Sequence, residues 1–321
     1  MSMSGNFRIV CLIPTYNGHR ELKSLLASLQ SQTARFDLMA IDSSSSDGTF
    51  DLLRAHLAHA EQISSEEFNH GGTRQRMADK YPEHEIYVYL TQDAVLIDPD
   101  AIAKIVAPFE DPRVGAVCGR QLPHFDANPL AQHARYFNYP RESQVKSLSD
   151  ASVLGIKTAF MSNSFAAYRA SALKEIGGFP SHVIFGEDMY VAAKMLLSGW
   201  KVAYAGNAEC RHSHNYTFIE EFRRYFDMGV FHAREPWIRR AFGNAGKEGV
   251  RYIRSEIKFL GLSRFYLFPS ALLRNFLKLF AYKLGQQEVK IPLKLKRKIG
   301  MHRNFWNGPF SAGGAKVFEQ K

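Results

Sequence analysis

The chain has 321 residues, 45% of them hydrophobic and 22% charged, a balance that excludes wholesale disorder and a collagen-like fibre. That length can bury a full core without staples, and the three cysteines (Cys11, Cys118 and Cys210), odd in number and widely spaced, form no disulfide framework and suit a reducing compartment. The formal net charge of +10 is lopsided: residues 251–321 carry 15 Lys and Arg against 3 Asp and Glu, which points to a polyanionic partner such as anionic lipid, nucleic acid or a phosphorylated acceptor.

The opening residues MSMSGNFRIVCLIPTYN lack a basic stretch followed by a long apolar one, so no secretory leader is expected. Arg8–Ile13 reads as a buried strand stopped by Pro14, and Glu21–Leu29 repeats Leu at helical spacing. Phe36–Ile41 is a second strand, ending at Asp42 and a Ser/Asp/Gly loop. Asp47–His56 follows as a helix with Asp47 as its N-cap. Glu85–Leu90 is a strand, a helix follows near Asp100–Val106, and Val114–Cys118 is one more strand. Strand, loop and helix alternate every 25–30 residues or roughly so, the signature of an α/β domain with a largely parallel sheet.

Past Cys118 the pattern loosens. Pro123–Asp150 reads as a long loop or short helices, and Ala159–Tyr168 as a strand or partly buried segment. Ser171–Ile176 starts a helix closed by Gly177 and Gly178, Glu187–Leu197 is an amphipathic helix, Trp200–Tyr204 a strand and Thr217–Phe231 a helix. In Phe259–Leu284 the longest uncharged apolar run is Phe265–Leu273, too short for a membrane-spanning helix. From Ala271 onward Arg274, Asn275, Lys278 and Tyr282 share one helical face and leucines and phenylalanines fill the rest. Such a helix is expected to lie in a membrane interface, the alternative being a helix packed on the body or on a second subunit. Asn307–Lys321 is expected to be a loose terminus.

The polar clusters fall where chemistry needs them. Pro14-Thr15-Tyr16-Asn17, Asp42–Gly48 and Gln92-Asp93 each follow a strand, and in open α/β sheets ligands bind at those ends. Asp42 can accept hydrogen bonds from a ribose or base, although Ser, Asp and Gly also serve plain turns. Asp93 can hold a divalent cation against a diphosphate, or be a solvated strand-end carboxylate. Glu187 and Asp188 open a helix, where the dipole favours carboxylates and where one of them can take a proton from an attacking hydroxyl. His212 and His214 alternate on one strand face; a structural zinc site lacks its second ligand pair, so a metal contact or closure over a diphosphate competes with a structural role. Gly71 and Gly72 enter a helix carrying Arg74 and Arg76, a possible anion site. Neither a P-loop nor a dinucleotide glycine motif is present, which disfavours a nicotinamide enzyme, and no zinc-finger, ribonucleoprotein or basic-zipper signature points to nucleic acid.

Taken in order, IPTYN (Ile13–Asn17), IDSSSSDGT (Ile41–Thr49), FNHGGTRQ (Phe68–Gln75), TQDA (Thr91–Ala94), GED (Gly186–Asp188) and HSH (His212–His214) resemble family 2 of the glycosyltransferases, and within it the bacterial rhamnosyltransferases of surface polysaccharides. The resemblance runs from Ile9 to about Gly229. It departs from the family at Thr91, which stands where the first Asp of Asp-x-Asp belongs, leaving Asp93 as the metal ligand. It implies a GT-A fold, Rossmann-like with a mostly parallel central sheet, over residues 5–230, a helical, basic amphipathic membrane-association region over 231–306 and a tail over 307–321. It also implies an inverting transferase passing a sugar from a dTDP-sugar, with dTDP-L-rhamnose the expected donor, to a lipid-linked or oligosaccharide acceptor. The enzyme would sit on the cytoplasmic face of the bacterial inner membrane, held by residues 251–300, with a homodimer possible. In that scheme Asp188 is the base and Glu187 assists. Pro14, Thr15, Asn17, Asp42, Ser44, Gly72, Arg74, Gln92 and His214 bind the nucleotide sugar, and Asp93 with His212 holds Mg²⁺ or Mn²⁺. The altered Asp-x-Asp motif keeps open a non-catalytic sugar- or lipid-binding protein, or a transferase using another nucleotide sugar.

Overall fold

The computed structural model describes residues 7–243 and 246–311. In chain order its elements are β1 (Ile9–Thr15), α1 (His19–Gln30), β2 (Asp37–Asp42), α2 (Thr49–His56), β3 (His59–Gln62), α3 (His70–Asp79), β4 (Ile86–Leu90), β5 (Val95–Leu96), α4 (Ala101–Val106) and β6 (Val114–Leu122). There follow α5 (Pro129–Asn138), β7 (Gln144–Lys146), α6 (Ala151–Leu154), β8 (Phe165–Arg169), α7 (Ala170–Glu175), α8 (Glu187–Leu197) and β9 (Lys201–Arg211). The helical layer comprises α9 (Phe218–Arg234), α10 (Pro236–Phe242), α11 (Gly246–Leu260), α12 (Phe268–Gly285) and α13 (Leu293–Ile299).

The described strands form one sheet in the order β3-β2-β1-β4-β8-β6-β9-β5, with β7 also on β9. The first half is parallel as expected: β1 pairs β2 and β4, and β2 pairs β3. The second half is mixed, because β8 runs antiparallel between β4 and β6, and β5 and β7 run antiparallel to β9. β6 and β9 are again parallel to each other. Two antiparallel steps across β8 restore the direction of β4, so β1, β2, β4, β6 and β9 all end at one edge. The start of β8 lies at that same edge, since Phe165 pairs Leu90.

Both faces of the sheet are covered, and the period of two along each strand sorts the side chains. On β1, Val10 and Leu12 enter one cluster with Tyr87, Tyr89, Tyr168, Val191 and Phe226; Ile9, Cys11 and Ile13 enter the other with Leu22, Leu25, Ile102 and Ile105. The first cluster continues into the helical layer through Ile238, Phe242, Ala281 and Trp306, the last wholly buried. α9 begins at a capping box in which Thr217 and Glu220 exchange hydrogen bonds. Asp47 lies one residue ahead of its expected place: Gly48 is the N-cap of α2, and Asp47 Oδ1 accepts from the Thr49 N–H at 3.1 Å while Oδ2 accepts from the His19 N–H at 3.0 Å. Of the expected loose terminus, Asn307 closes a 3₁₀ turn that begins at Arg303, and residues 312–321 lie outside the described part.

α12 has the two faces expected of it, and its polar face is turned inward onto the protein. Arg274 pairs Glu221 at 2.8 Å and donates to the Tyr216 carbonyl, Lys278 pairs Glu221 at 3.3 Å, Asn275 donates to Glu256, and Tyr282 meets His232. The apolar residues Leu272, Leu273, Phe276, Leu279 and Phe280 are left exposed. Among the described residues no helix is long and apolar enough to cross a membrane.

Candidate active site

The loops at the strand-end edge are tied to one another by hydrogen bonds. After β1, the Tyr16 N–H donates to Gln92 Oε1 at 2.8 Å and Gln92 Nε2 donates to the Tyr16 carbonyl at 3.0 Å, so the β1 and β4 loops are clasped. Gly18 permits the clasp: a Cβ there would meet Gln92 Cδ at 2.3 Å. The β1 and β2 loops are joined by Asn17, whose N–H donates to Ser45 Oγ at 2.8 Å and whose Oδ1 accepts from the Ser46 N–H at 2.9 Å. Asn17 and Ser44 hold left-handed backbone, φ 44° and 57°, a strain that recurs at binding loops. Ser44 is exposed and donates to the Ile63 carbonyl; Pro14 is half-buried on β1.

Asp42 is wholly buried and its carboxylate is already filled. It accepts from Thr15 Oγ1 at 3.0 Å, Ser45 N at 2.8 Å, Ser45 Oγ at 2.5 Å and Gln62 Nε2 at 3.2 Å. In this arrangement Asp42 shapes the loop rather than offering a free acceptor. Gly72 and Arg74 are likewise engaged internally. The Gly72 N–H is taken by the N-cap Asn69, and Arg74 Nη1 donates to the His70 carbonyl at 2.8 Å and pairs Glu187 at 3.1 Å. The expected anion site at this helix start therefore presents neither donor to a phosphate.

A second group forms around the end of β9. Asp93, His212 and His214 bring one ligand atom each within 4.8 Å of one another. His212 Nε2 lies 3.4 Å, and His214 Nε2 3.7 Å, from Asp93 Oδ2. Burial drives His212 well below the ordinary imidazole pKa against the pull of Asp93, so the ring is neutral and keeps a lone pair. His214, more exposed, is lowered for the same reason. Burial works against the Asp93 carboxylate, but the two imidazoles and Thr91 outweigh it and hold its pKa low. One carboxylate and two neutral imidazoles fit a divalent first-row cation, and the imidazoles tilt the set toward manganese over magnesium.

The third group is the carboxylate pair opening α8. Gly186 precedes it with φ 81°, and a Cβ there would also press on the Phe231 ring at 3.2 Å, so glycine is needed twice over. Glu187 is 4% exposed and takes Asn163 Nδ2 at 2.8 Å beside Arg74. Although burial penalises its charge, Arg74, His70 and Asn163 keep Glu187 ionised. Asp188 differs: burial first, then the neighbouring Glu187 charge, pushes its pKa up to about 7, against the N–H groups of Met189 at 2.7 Å and Asn163 at 3.3 Å. Two adjacent carboxylates whose pKa values are driven apart mark an acid–base pair, with Asp188 poised to exchange a proton near neutral pH.

Asn163, which sequence reasoning passed over, joins the second and third groups. It touches both carboxylates of α8, is held by the Tyr168 hydroxyl at 2.7 Å, and precedes Ser164, whose Oγ lies 3.4 Å from His212 Nε2. Asp188 and Asp93 are thus linked through Asn163, Ser164 and His212 at the strand-end edge, where open α/β sheets bind ligands in a crevice, and the Gln92 clasp ties that edge to the loop after β1. The available signal was the polar run Ser162-Asn163-Ser164 set in an apolar stretch.

Known proteins similar to this chain identify its family and fold. The chain is 51% identical over 94% of its length to the O-antigen chain rhamnosyltransferase RfbN of Salmonella typhimurium, covering 96% of that protein. It is 49% identical over 92% of its length to the O-antigen chain rhamnosyltransferase WbaN of Salmonella anatum, covering 95% of it. In structure it resembles the mannosyltransferase PcManGT from Pyrobaculum calidifontis, solved with GDP-Man and Mn²⁺ (TM-score 0.59, 18% identity, 88% of this chain and 86% of that one). It also resembles S. aureus TarS 1–349 in complex with UDP-GlcNAc (TM-score 0.52, 14% identity, 88% and 91%). These two likenesses support the GT-A fold. Residues 10–177 match the family model for glycosyl transferase family 2, and with relatives this similar over nearly the whole chain, the protein belongs to that family and is a glycosyltransferase.

Proposed function

We propose that this enzyme transfers L-rhamnose from dTDP-L-rhamnose to a lipid-linked saccharide in O-antigen synthesis, with inversion at the anomeric carbon. The observation that carries the chemistry is the split carboxylate pair: Glu187 locked as an anion on Arg74, Asp188 pushed up to about 7 beside it. The sugar and pathway rest on the two relatives named as O-antigen chain rhamnosyltransferases.

Asp188 takes the proton from the acceptor hydroxyl as that oxygen bonds to the anomeric carbon. The bond from that carbon to the diphosphate breaks, dTDP leaves, and a β-linked donor gives an α-linked product. Glu187 stays ionised and raises the basicity of Asp188, while Asn163 holds the two carboxylates in register. Pro14, Thr15, Asn17, Asp42, Ser44 and Gln92 form the nucleotide side, the buried Asp42 setting the loop that meets the base. Arg74 supports Glu187 from behind. Asp93 and His212, joined by His214 in place of its expected role on the nucleotide sugar, would hold a divalent cation, which when bound would supply positive charge against the leaving diphosphate.

The acceptor's lipid anchor gives the outward apolar face of α12 a partner. With Val250, Ile253 and Ile257 of α11 and Leu262 and Phe265 between the helices, it forms an exposed apolar surface, and Arg251, Arg254, Lys258 and Lys283 lie exposed on the same helices. That composition supports peripheral contact with an anionic inner leaflet.

The test is purified enzyme offered dTDP-L-rhamnose, UDP- and GDP-sugars with Mn²⁺ or Mg²⁺ and a lipid-diphosphate-linked sugar. Rhamnosylated lipid from the dTDP donor alone supports the proposal. Transfer from another nucleotide sugar would replace the donor, and donor turnover with only soluble acceptors would remove the lipid.

A further inference from the structure

We infer that Gln121, oriented by Arg135, is a positioning residue that locks His212 into one tautomer and aims its Nε2 lone pair at the cation site beside Asp93. This rests on the metal reading of Asp93, His212 and His214.

Gln121 is wholly buried at the end of β6. Its Oε1 receives Arg135 Nη1 at 2.5 Å and lies 2.9 Å from His212 Nδ1, while its Nε2 donates to Ser162 Oγ at 2.8 Å. A guanidinium only donates, so it decides which end of the amide it faces: the opposite orientation would set NH₂ against N–H. With the oxygen thus fixed, His212 Nδ1 faces an acceptor and must carry the ring's proton. A neutral imidazole has one N–H, so Nε2 is bare, and it is Nε2 that lies 3.4 Å from Asp93 Oδ2. Histidine ligands commonly give their second nitrogen to such an acceptor, which orients the ring and strengthens it as a donor. Here the position of that proton is set by Arg135, on α5, two side chains from the cation site.

The test separates the lock from the metal. In ¹⁵N-histidine NMR of the metal-free full chain, with the His212 signal assigned by its loss in His212→Gln, wild type should show the Nδ1–H tautomer, and Gln121→Leu should show Nε2–H or a mixture. Mn²⁺ binding without donor, followed by EPR, should weaken roughly 10–100-fold in Gln121→Leu. Gln121→Glu, which still offers an acceptor to both Arg135 and His212, should stay within a fewfold of wild type. Thermal melts confirm that each variant is folded. An Nε2–H tautomer in wild type, or Gln121→Leu binding Mn²⁺ as wild type does, overturns the inference. Wild type in the Nδ1–H form without Mn²⁺ affinity would uphold the lock and sink the metal reading instead.

Discussion

The strand-end crevice and the α11–α12 layer handle polarity in opposite ways. In the crevice, charge is drawn inward: Asp42, Arg74, Glu187 and His212 are all under one-tenth exposed, and each is held by named partners. In the helical layer Arg274, Lys278 and Asn275 of α12 are also turned inward, onto Glu221 and Glu256, but large apolar residues are left outside, with Phe276 62% and Leu272 73% exposed. Buried polar groups in a crevice are stabilised by one another and tune reactivity. A surface that hides its polar side and shows its oil lacks a partner in the monomer. The first region satisfies its polar groups internally; the second leaves an apolar face open to the lipid contact proposed above.

Breaking the crevice has the largest expected effect. Asp188→Asn should lower kcat by about 10²–10⁴-fold while leaving donor affinity in place, since it removes only the proton acceptor. Loss of donor affinity by a like factor would make Asp188 a binding group. In wild type, kcat/KM should rise with pH and level off above about pH 7, because Asp188 must be ionised to act and its pKa is raised to about 7. Stability moves the other way. A carboxyl whose folded pKa exceeds its unfolded value favours folding at low pH, and that contribution is lost as pH rises through the folded pKa. Asp188→Asn should therefore melt higher than wild type at pH 8, and the gain should shrink toward pH 4. An equal gain at both pH values would mean that packing, not ionisation, is responsible.

How much of this could be read from the chain alone follows from the same contrast. Asp93, Glu187, Asp188 and His212 were legible as candidates because each sits at a strand end or helix start, where local pattern reports position; His214, expected on the nucleotide sugar, instead lies with Asp93 and His212. Asn163 and Gln121 were not. β8 runs antiparallel, so its beginning, not its end, reaches the crevice, and β6 extends to Leu122, past the expected stop at Cys118. Asp42 was found, but its saturation by Thr15, Ser45 and Gln62 depends on tertiary placement. For α12, periodicity gave the two faces correctly and could not say which one pointed out.

The outward face gives the next effect in size. Phe276→Asp with Leu279→Asp should reduce binding to phosphatidylglycerol-containing vesicles at least tenfold, since each side chain gives up about 1.5–3 kcal/mol of burial on docking. The melting temperature should barely change, because both residues are exposed in the free protein. Undiminished vesicle binding, together with a loss of self-association in sedimentation, would assign the face to a second copy of the chain.

The inward face gives the smallest effect and completes the contrast. Glu221 sits between Arg274 and Lys278, and these three side chains are 16%, 15% and 12% exposed. Arg274 keeps the Tyr216 carbonyl, and Lys278 lies over the Tyr225 and Tyr252 rings, so neither cation is wholly stranded when the carboxylate goes. Glu221→Ala should thus cost about 1–3 kcal/mol, a fall of a few degrees in melting temperature, with Glu221→Gln costing less. Vesicle binding per folded molecule should be unchanged, because the removed group faces the protein. The two α12 variants then dissociate cleanly: one loses docking and keeps stability, the other loses stability and keeps docking. If Glu221→Ala instead left the melt alone and altered vesicle affinity, the helix would be rotated in solution, with its Arg and Lys side toward the lipid.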